Sequence, residues 1–251
     1  MSDLREASRP LAEALARQRN ATEEIRSILR DGLSNLEAEK KASWHAKKNP
    51  SVSDAGKCPR QVAYSLKNLT PSNPLTEDSL ANFAVGTAVE GVMAALLTRA
   101  GAKFIREGRV AIPAGETTVT GRRDFEGVTL LMRGAIIELK TTSSRAMSWM
   151  LKRGEEGRSE HRRQLNLYLY GAGAESGYLV YWIKDAVRGE PVWHAWHVPL
   201  DKNLAESDLW NLAAIDKMVK GGTIPERPDG YKRSAFPCSY CDYATFCWSK
   251  P

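Results

Sequence analysis

Two carboxylates and a lysine carry the chemistry that can be read first. The run Ala135-Ile136-Ile137-Glu138-Leu139-Lys140-Thr141-Thr142 reads as a strand, and alternate side chains of a strand share a face. Glu138 and Lys140 therefore point one way, while Ile137 and Leu139 point into a core. Asp124, fourteen residues earlier in Gly121-Arg122-Arg123-Asp124, starts a hairpin whose antiparallel return could bring it beside Glu138. Such a set makes a divalent-cation site, because hard oxygen ligands suit Mg²⁺ or Mn²⁺ and leave positions for water and a phosphate oxygen. The metal lowers the pKa of its water and offsets charge developing on phosphorus. The lysine can orient that water or stabilise the transition state. Against this stands a strand whose charged end simply reaches solvent, since Glu-x-Lys is a common pattern.

Two further pieces point the same way. Glu90 lies one turn after Gly86 on an apolar helical stretch, at the edge of its apolar stripe, where an acid can ligate a metal or snorkel outward. Gln164 and Tyr168 stand at i and i+4 of another helix, with His161 one turn earlier. That face can hold a nucleic-acid backbone or order catalytic groups, and Arg158, Arg162 and Arg163 put positive charge beside it. The alternative is an ordinary solvated helix edge.

Four cysteines complete the inventory: Cys58, then Cys238, Cys241 and Cys247. Nothing in the first 30 residues has a signal-peptide core, so a reducing, cytoplasmic compartment is expected and paired disulfides are not. Four thiolates can hold an iron–sulfur cluster or one tetrahedral Zn²⁺. A zinc ribbon normally offers two close pairs. Here three ligands are bunched and the fourth lies 180 residues upstream, which favours the cluster over zinc or plain buried thiols. Phe236, Tyr240, Tyr243, Phe246 and Trp248 are placed to shield it.

The elements that must position these groups follow from pattern. Residues 1–50 read as a helical arm: Leu11, Leu15, Ile25, Ile28 and Leu29 give a loose stripe, and Asp31-Gly32 reads as a break. Ser34 with Glu37 reads as the capping box of a second helix. An apolar helix is expected over 78–99, with Val85, Val89, Val92 and Leu96 along one stripe. Strands are expected over 103–112, 117–125, 128–132 and 134–140, then a helical stretch from about 145 through 171. Two more strands fit Tyr178–Lys184 and Val192–Val198, and a helix fits Asp201–Lys220. His194 and His197 fall in a Trp-rich strand and read as packing. The fold class is α/β, with residues 51–251 as one domain behind the arm at 1–50.

The chain has 251 residues, enough to bury a full core, with 42% hydrophobic and 26% charged residues. That balance excludes disordered and collagen-like classes, and no apolar run reaches the ~18 residues of a membrane span. The formal charge of +6 is a mild excess that suits an anionic partner. No Walker phosphate-binding loop and no Gly-x-Ser-x-Gly elbow is present.

Taken in order, Gly86-x3-Glu90, Gly121-x2-Asp124, Glu138-x-Lys140 and Gln164-x3-Tyr168 resemble the RecB-like branch of the PD-(D/E)XK nuclease superfamily. Cys58-Pro59-Arg60 with Cys238-x2-Cys241-x5-Cys247 resembles its iron–sulfur subgroup, which includes CRISPR-associated and phage exonucleases. The resemblance spans residues 53–249. It implies a mixed central sheet flanked by helices, and a 4Fe–4S cluster that clasps the two ends of the domain. It further implies that Asp124, Glu138, Glu90 and the Leu139 carbonyl hold Mg²⁺ or Mn²⁺, that Lys140 assists the attacking water, and that Gln164 and Tyr168 position the strand or the catalytic groups. In the CRISPR-type members the first motif usually ends in histidine; Glu90 takes that place here.

The function so implied is a metal-dependent exonuclease on single-stranded or frayed DNA ends, in repair, recombination, phage or CRISPR-type processing. The arm could join a homo-oligomer or a larger DNA-processing complex, and no membrane partner is expected. The other reading is a non-catalytic DNA-binding or assembly subunit that keeps the fold and the cluster.

Overall fold

Period-2 apolar patterning and glycine-marked turns put five strands side by side, and the runs between and after them are long enough for helices. The structure is a computed structural model that describes residues 23, 25, 27–35, 38, 47–73, 76–131 and 134–249. Two compact units are present, one from Met1–His45 with Leu75–Ala84, the other from Ala46–Pro74 with Val85–Pro251.

Of the smaller unit, residues 27–35 are helical. The helix therefore runs through Asp31-Gly32, where a break was expected, and Ser34 lies inside it rather than at a cap. Leu11, Leu15 and Glu37 lie outside the described residues, as does most of the expected arm.

The larger unit holds the sheet. Helix α1 (Pro59–Leu66) and α2 (Glu77–Arg99, whose first eight residues belong to the smaller unit) precede β1 (Ile105–Ala114), β2 (Thr117–Val128) and β3 (Ala135–Thr142). Helices α3 (Ser144–Lys152) and α4 (Ser159–Ala172) follow, then β4 (Ser176–Ile183), β5 (Trp193–Pro199), α5 (Lys202–Lys220) and α6 (Ala244–Ser249). The strand order is β1-β2-β3-β4-β5. All pairs are antiparallel except β3 with β4, which run parallel. A parallel pair needs a crossover of a dozen or more residues, and α3 with α4 supplies it. The result is the expected mixed sheet flanked by helices.

Both faces of the sheet are packed. On one, Ile136, Leu179, Tyr181, Ile112 and Val119 meet Leu165, Leu167 and Leu169 of α4 and Leu209 and Leu212 of α5. On the other, Phe125, Ile137, Leu139 and Val180 meet Val89 and Ala94 of α2. Of the expected stripe on α2, Val89 is buried. Val85, Val92 and Leu96 remain 40–45% exposed, because the sheet takes only one edge of the helix. α2 is long and apolar enough to cross a membrane by length and composition only, a test that core helices also pass; in this fold its Val89 packs against the sheet.

Two boundaries differ from expectation. The strand expected over 128–132 does not form: β2 continues to Val128 across a register shift between Phe125 and Val128, and 129–131 turn back toward β3. The helix expected from 145 through 171 is two. Gly154 (φ +68°) and Gly157 (φ +89°) hold left-handed backbone that a side chain resists, and so break the helical path between Lys152 and Ser159.

Gly121 has a different reason to be glycine. A Cβ there would stand 2.8 Å from Tyr168 Cε1 and 2.9 Å from Val52 Cγ2, both buried. Gly121→Ala is expected to destabilise the fold by about 1–3 kcal/mol through overpacking. That is a fall of roughly 2–12 °C in melting temperature for a chain of this size. A melting temperature within 1 °C of wild type would show that Tyr168 does not need this close approach.

Candidate functional site

Register brings the two carboxylates together. β2 and β3 pair as Phe125 with Ile137, so the next residues outward are Asp124 and Glu138. There Asp124 Oδ2 accepts the Leu139 N–H at 2.8 Å, which turns the carboxylate across the end of the ladder and fixes it beside β3. Leu139 itself pairs with Val180 of β4.

Glu138 is fully buried, with 0% exposure. A strand end that merely reaches solvent is thereby excluded. Lys140 Nζ lies 2.6 Å from Glu138 Oε1, and no donor serves Oε2. Burying a carboxylate so poorly served costs several kcal/mol unless it is protonated or compensated by positive charge. Burial accordingly pushes its pKa up to about 8, with Asp124 and Glu90 adding to the rise and Lys140 opposing it. Asp124 is also raised, first by burial, against the pull of Lys140 and the Leu139 N–H. Glu90 is half-buried and raised by burial and then by Asp124. Three acids thus repel one another around one spot. Burial works against the charge on Lys140, but the attraction of Glu138, Asp124 and Glu90 outweighs it and holds the ammonium above its ordinary range.

A relay of polar contacts ties these groups to α4. Lys140 Nζ donates to Gln164 Oε1 at 3.1 Å, and Gln164 Nε2 reaches Tyr168 Oη at 3.5 Å. Tyr168 Oη donates to the Arg122 carbonyl at 2.8 Å and accepts the Arg122 N–H at 3.3 Å. The space above Gly121 lets the phenol come this close. Gln164 and Tyr168 are thus the inward link between β3 and the strand that carries Asp124, not a solvated edge. Burial raises the Tyr168 phenol to about 12, so it stays a neutral donor. His161, one turn earlier, bonds Tyr181 Oη at 2.6 Å through Nδ1. Burial, helped by Lys140 and Arg158, lowers it to about 3, which leaves it uncharged.

The three arginines separate. Arg163 Nε lies 3.4 Å from buried Asp208 of α5, and Arg162 pairs with Glu156 at 2.8 Å. Arg158 keeps its side chain half exposed, with Glu160 at 4.0 Å. Its backbone N–H donates to Tyr181 Oη.

The four cysteines line the walls of one cavity. Cys58 precedes α1, whose first residue is Pro59. Cys238 opens a short 3₁₀ turn that Cys241 caps, and Cys247 lies in α6. All four are free thiols lining one small cavity, with Arg60, Arg227 and Trp248 among its other walls. Burial raises the thiols of Cys58 and Cys241. The tail is stitched to the segment after α1: Ser72 and Asn73 N–H groups both donate to the Asp242 carbonyl, and Asn73 Nδ2 donates to the Cys241 carbonyl at 2.8 Å.

Of the aromatics expected to shield this cavity, Tyr243 is buried and packs on Tyr64 with Phe246. Phe236 and Tyr240 are 68% and 83% exposed and shield nothing. Arg227 stacks on Trp248 at 3.9 Å and donates to the Cys247 carbonyl at 2.6 Å. Its position in a loop of prolines and glycines gave no signal in the sequence.

Among the described residues no three His, Cys, Asp or Glu side chains stand close enough to share one ion as they are. The donor chemistry nonetheless fits at both places. Glu138 offers a buried oxygen with no donor, Oε2, beside Asp124, which suits a hard divalent cation. The cysteine cavity offers four thiols with two guanidinium groups near, which suits an anionic thiolate centre.

The sequence pattern of the PD-(D/E)XK nuclease superfamily matches residues 4–248. Among solved structures, SSO0001 is similar with a TM-score of 0.58 at 22% identity, over 90% of this chain and 98% of that one. The alkaline exonuclease LHK-Exo from Laribacter hongkongensis is similar with a TM-score of 0.53 at 13% identity, over 70% of this chain and 90% of its own. Its complex with dAMP gives 0.51 at 15% identity, over 69% and 90%. At these identities the likeness is one of fold. No curated protein matches the sequence.

Proposed function

Because this chain belongs to the PD-(D/E)XK nuclease superfamily, we propose that it is a metal-dependent DNA exonuclease. It would hydrolyse phosphodiester bonds at single-stranded or frayed ends. One observation carries the proposal: a fully buried Glu138, held by Lys140 at one oxygen and by no donor at the other, set beside Asp124. A chain keeps so costly a group where it serves chemistry. The fold it shares with an exonuclease supports the same reading.

Asp124 and Glu138, joined by Glu90 and the Leu139 carbonyl, would hold Mg²⁺ or Mn²⁺. When bound, the ion supplies an activated water and offsets charge on the phosphate. Lys140, steered by Gln164, holds its ammonium where the attacking water and a phosphate oxygen would lie. Tyr168 fixes the backbone at Arg122 and so the aim of Asp124, two residues on. Of Arg158, Arg162 and Arg163, Arg158 is the best exposed to meet the strand. The intact Asp124, Glu138 and Lys140 set weighs against a purely structural or DNA-holding subunit.

The four-cysteine cavity would hold a 4Fe–4S cluster that staples Cys58 to the tail, with Zn²⁺ as the lesser candidate. A reducing, cytoplasmic setting would suit its thiols, and residues 1–50 would serve as a docking arm.

The test is cleavage of end-labelled single-stranded DNA by anaerobically purified protein in Mg²⁺, Mn²⁺ or EDTA, with Glu138→Ala as control. Degradation should require the metal and vanish in the variant. An intact wild-type protein that is inert in both metals sinks the proposal in favour of the binding-subunit reading.

A further inference from the structure

Helix α3 starts two residues after the end of β3, the strand that bears Glu138 and Lys140. Its Met147 and Met150 are buried, and the opposite side carries Arg145, Trp149, Lys152 and Arg153, all exposed. These sit at i, i+4, i+7 and i+8, one stripe of a helix. From Ser144 to Arg153 the chain has three basic residues and no acid.

Trp149 is 56% exposed, as Trp193 (53%) and Trp210 (72%) also are, and what sets it apart is its setting. The Arg153 guanidinium lies over its ring at 4.4 Å and is held by Glu155 Oε1 at 2.6 Å. The cation therefore covers part of the indole and steadies it while the rest stays open. A rigid, exposed ring in a basic stripe is the chemistry that stacks a base while neighbouring cations hold the phosphates. Trp210, 72% exposed, lies instead by a cleft whose lining has three acids, Glu116, Glu206 and Asp216, against two lysines, Lys217 and Lys220, the latter paired with Asp216. Those acids disfavour a phosphate backbone.

Chain length bounds the distance to the proposed reaction centre. Four extended residues from Lys140 to Ser144, then five helical ones to Trp149, span at most about 22 Å between Cα atoms. The stripe also begins at the carboxyl end of a parallel strand, where open α/β sheets take their ligands.

We infer that Trp149, braced by Arg153, is a base-stacking platform that holds single-stranded DNA a few nucleotides from the reaction centre. The inference rests on the nuclease reading for its substrate, and its test is independent of cleavage. Fluorescence anisotropy in EDTA would compare a labelled 12-mer of thymidylate with an all-abasic 12-mer of the same charge. The full-length chain would be used as wild type, Trp149→Ala and Trp149→Phe.

Wild type should prefer the base-bearing strand about tenfold. Trp149→Ala should lose that preference while binding the abasic strand as before, and Trp149→Phe should keep most of it. A wild type with no preference for bases overturns the inference, as does an alanine variant that weakens both strands alike. If the platform fails while metal-dependent cleavage persists, the nuclease reading stands alone. If cleavage is absent, the binding comparison still decides the platform.

Discussion

Glu138→Gln should lower DNA cleavage by at least about a thousandfold, the effect of removing ~4 kcal/mol of transition-state stabilisation. The same substitution should make the metal-free protein more stable at alkaline pH. In the folded, metal-free chain burial holds the Glu138 proton up to about pH 8, while the ordinary carboxyl releases it near 4.5. Between those values the folded state keeps a proton that the unfolded chain has lost, so raising the pH drains stability. The contribution is whole below pH 4.5 and gone above about 8. At ~1.36 kcal/mol per unit the loss is bounded at roughly 5 kcal/mol, and solvent relaxation will reduce it. Glutamine does not titrate, and Lys140 keeps Gln164 as its partner. Urea unfolding in EDTA at pH 5 and pH 9 checks this: wild type should lose stability between the two relative to Glu138→Gln. Parallel curves would mean that Glu138 is not the strained group described here.

If the four cysteines hold the proposed cluster, Cys247→Ser should cost the protein that metal and much of its order around the tail. The thiol is buried among Tyr64 and Tyr243, so a serine hydroxyl there loses both a ligand and an apolar contact. Structural zinc in small domains contributes apparent free energies of about 10–16 kcal/mol. Losing even 3 kcal/mol would lower melting by roughly 6–12 °C. Wild type purified without oxygen should carry iron and acid-labile sulfide in equal amounts; one zinc per chain would identify the lesser candidate. A metal-free wild type that melts together with Cys247→Ser would remove the clasp from this protein altogether.

Much of the site is legible in sequence because it depends on local periods. The two-residue repeat of a strand puts Glu138 and Lys140 on one face, and a hairpin's antiparallel return sets Asp124 against β3. A four-residue step aligns Gln164 with Tyr168 on the face that meets Lys140. What escapes depends on partners distant in the chain or on backbone conformation. The fate of Arg163 is set by Asp208 on another helix, and nothing near Arg227 announces that it will stack on Trp248. Gly154 and Gly157 break the helix within 152–164, a run with no apolar residue whose spacing could show where one helix ends and the next begins. Asp31-Gly32 looks like a break and is helical, because the local preference of one glycine, about 1 kcal/mol, is easily outweighed. The stripe on α2 shows the reverse error: apolar spacing says that a face could be buried, not that anything is there to bury it.

The bonds from Ser72 and Asn73 to the tail bear on how the chain is made. Cys58 leaves the ribosome about 180 residues before Cys238 does. At ~5–20 residues per second, that interval is on the order of 9–36 s. Throughout it α1 and its thiol have no tail to dock on, and the sheet must form with one end unfastened. Closing so long a loop late is slow relative to local steps. Nascent chains halted before the tail emerges should therefore be cut readily by protease near residues 58–73, and finished chains should resist.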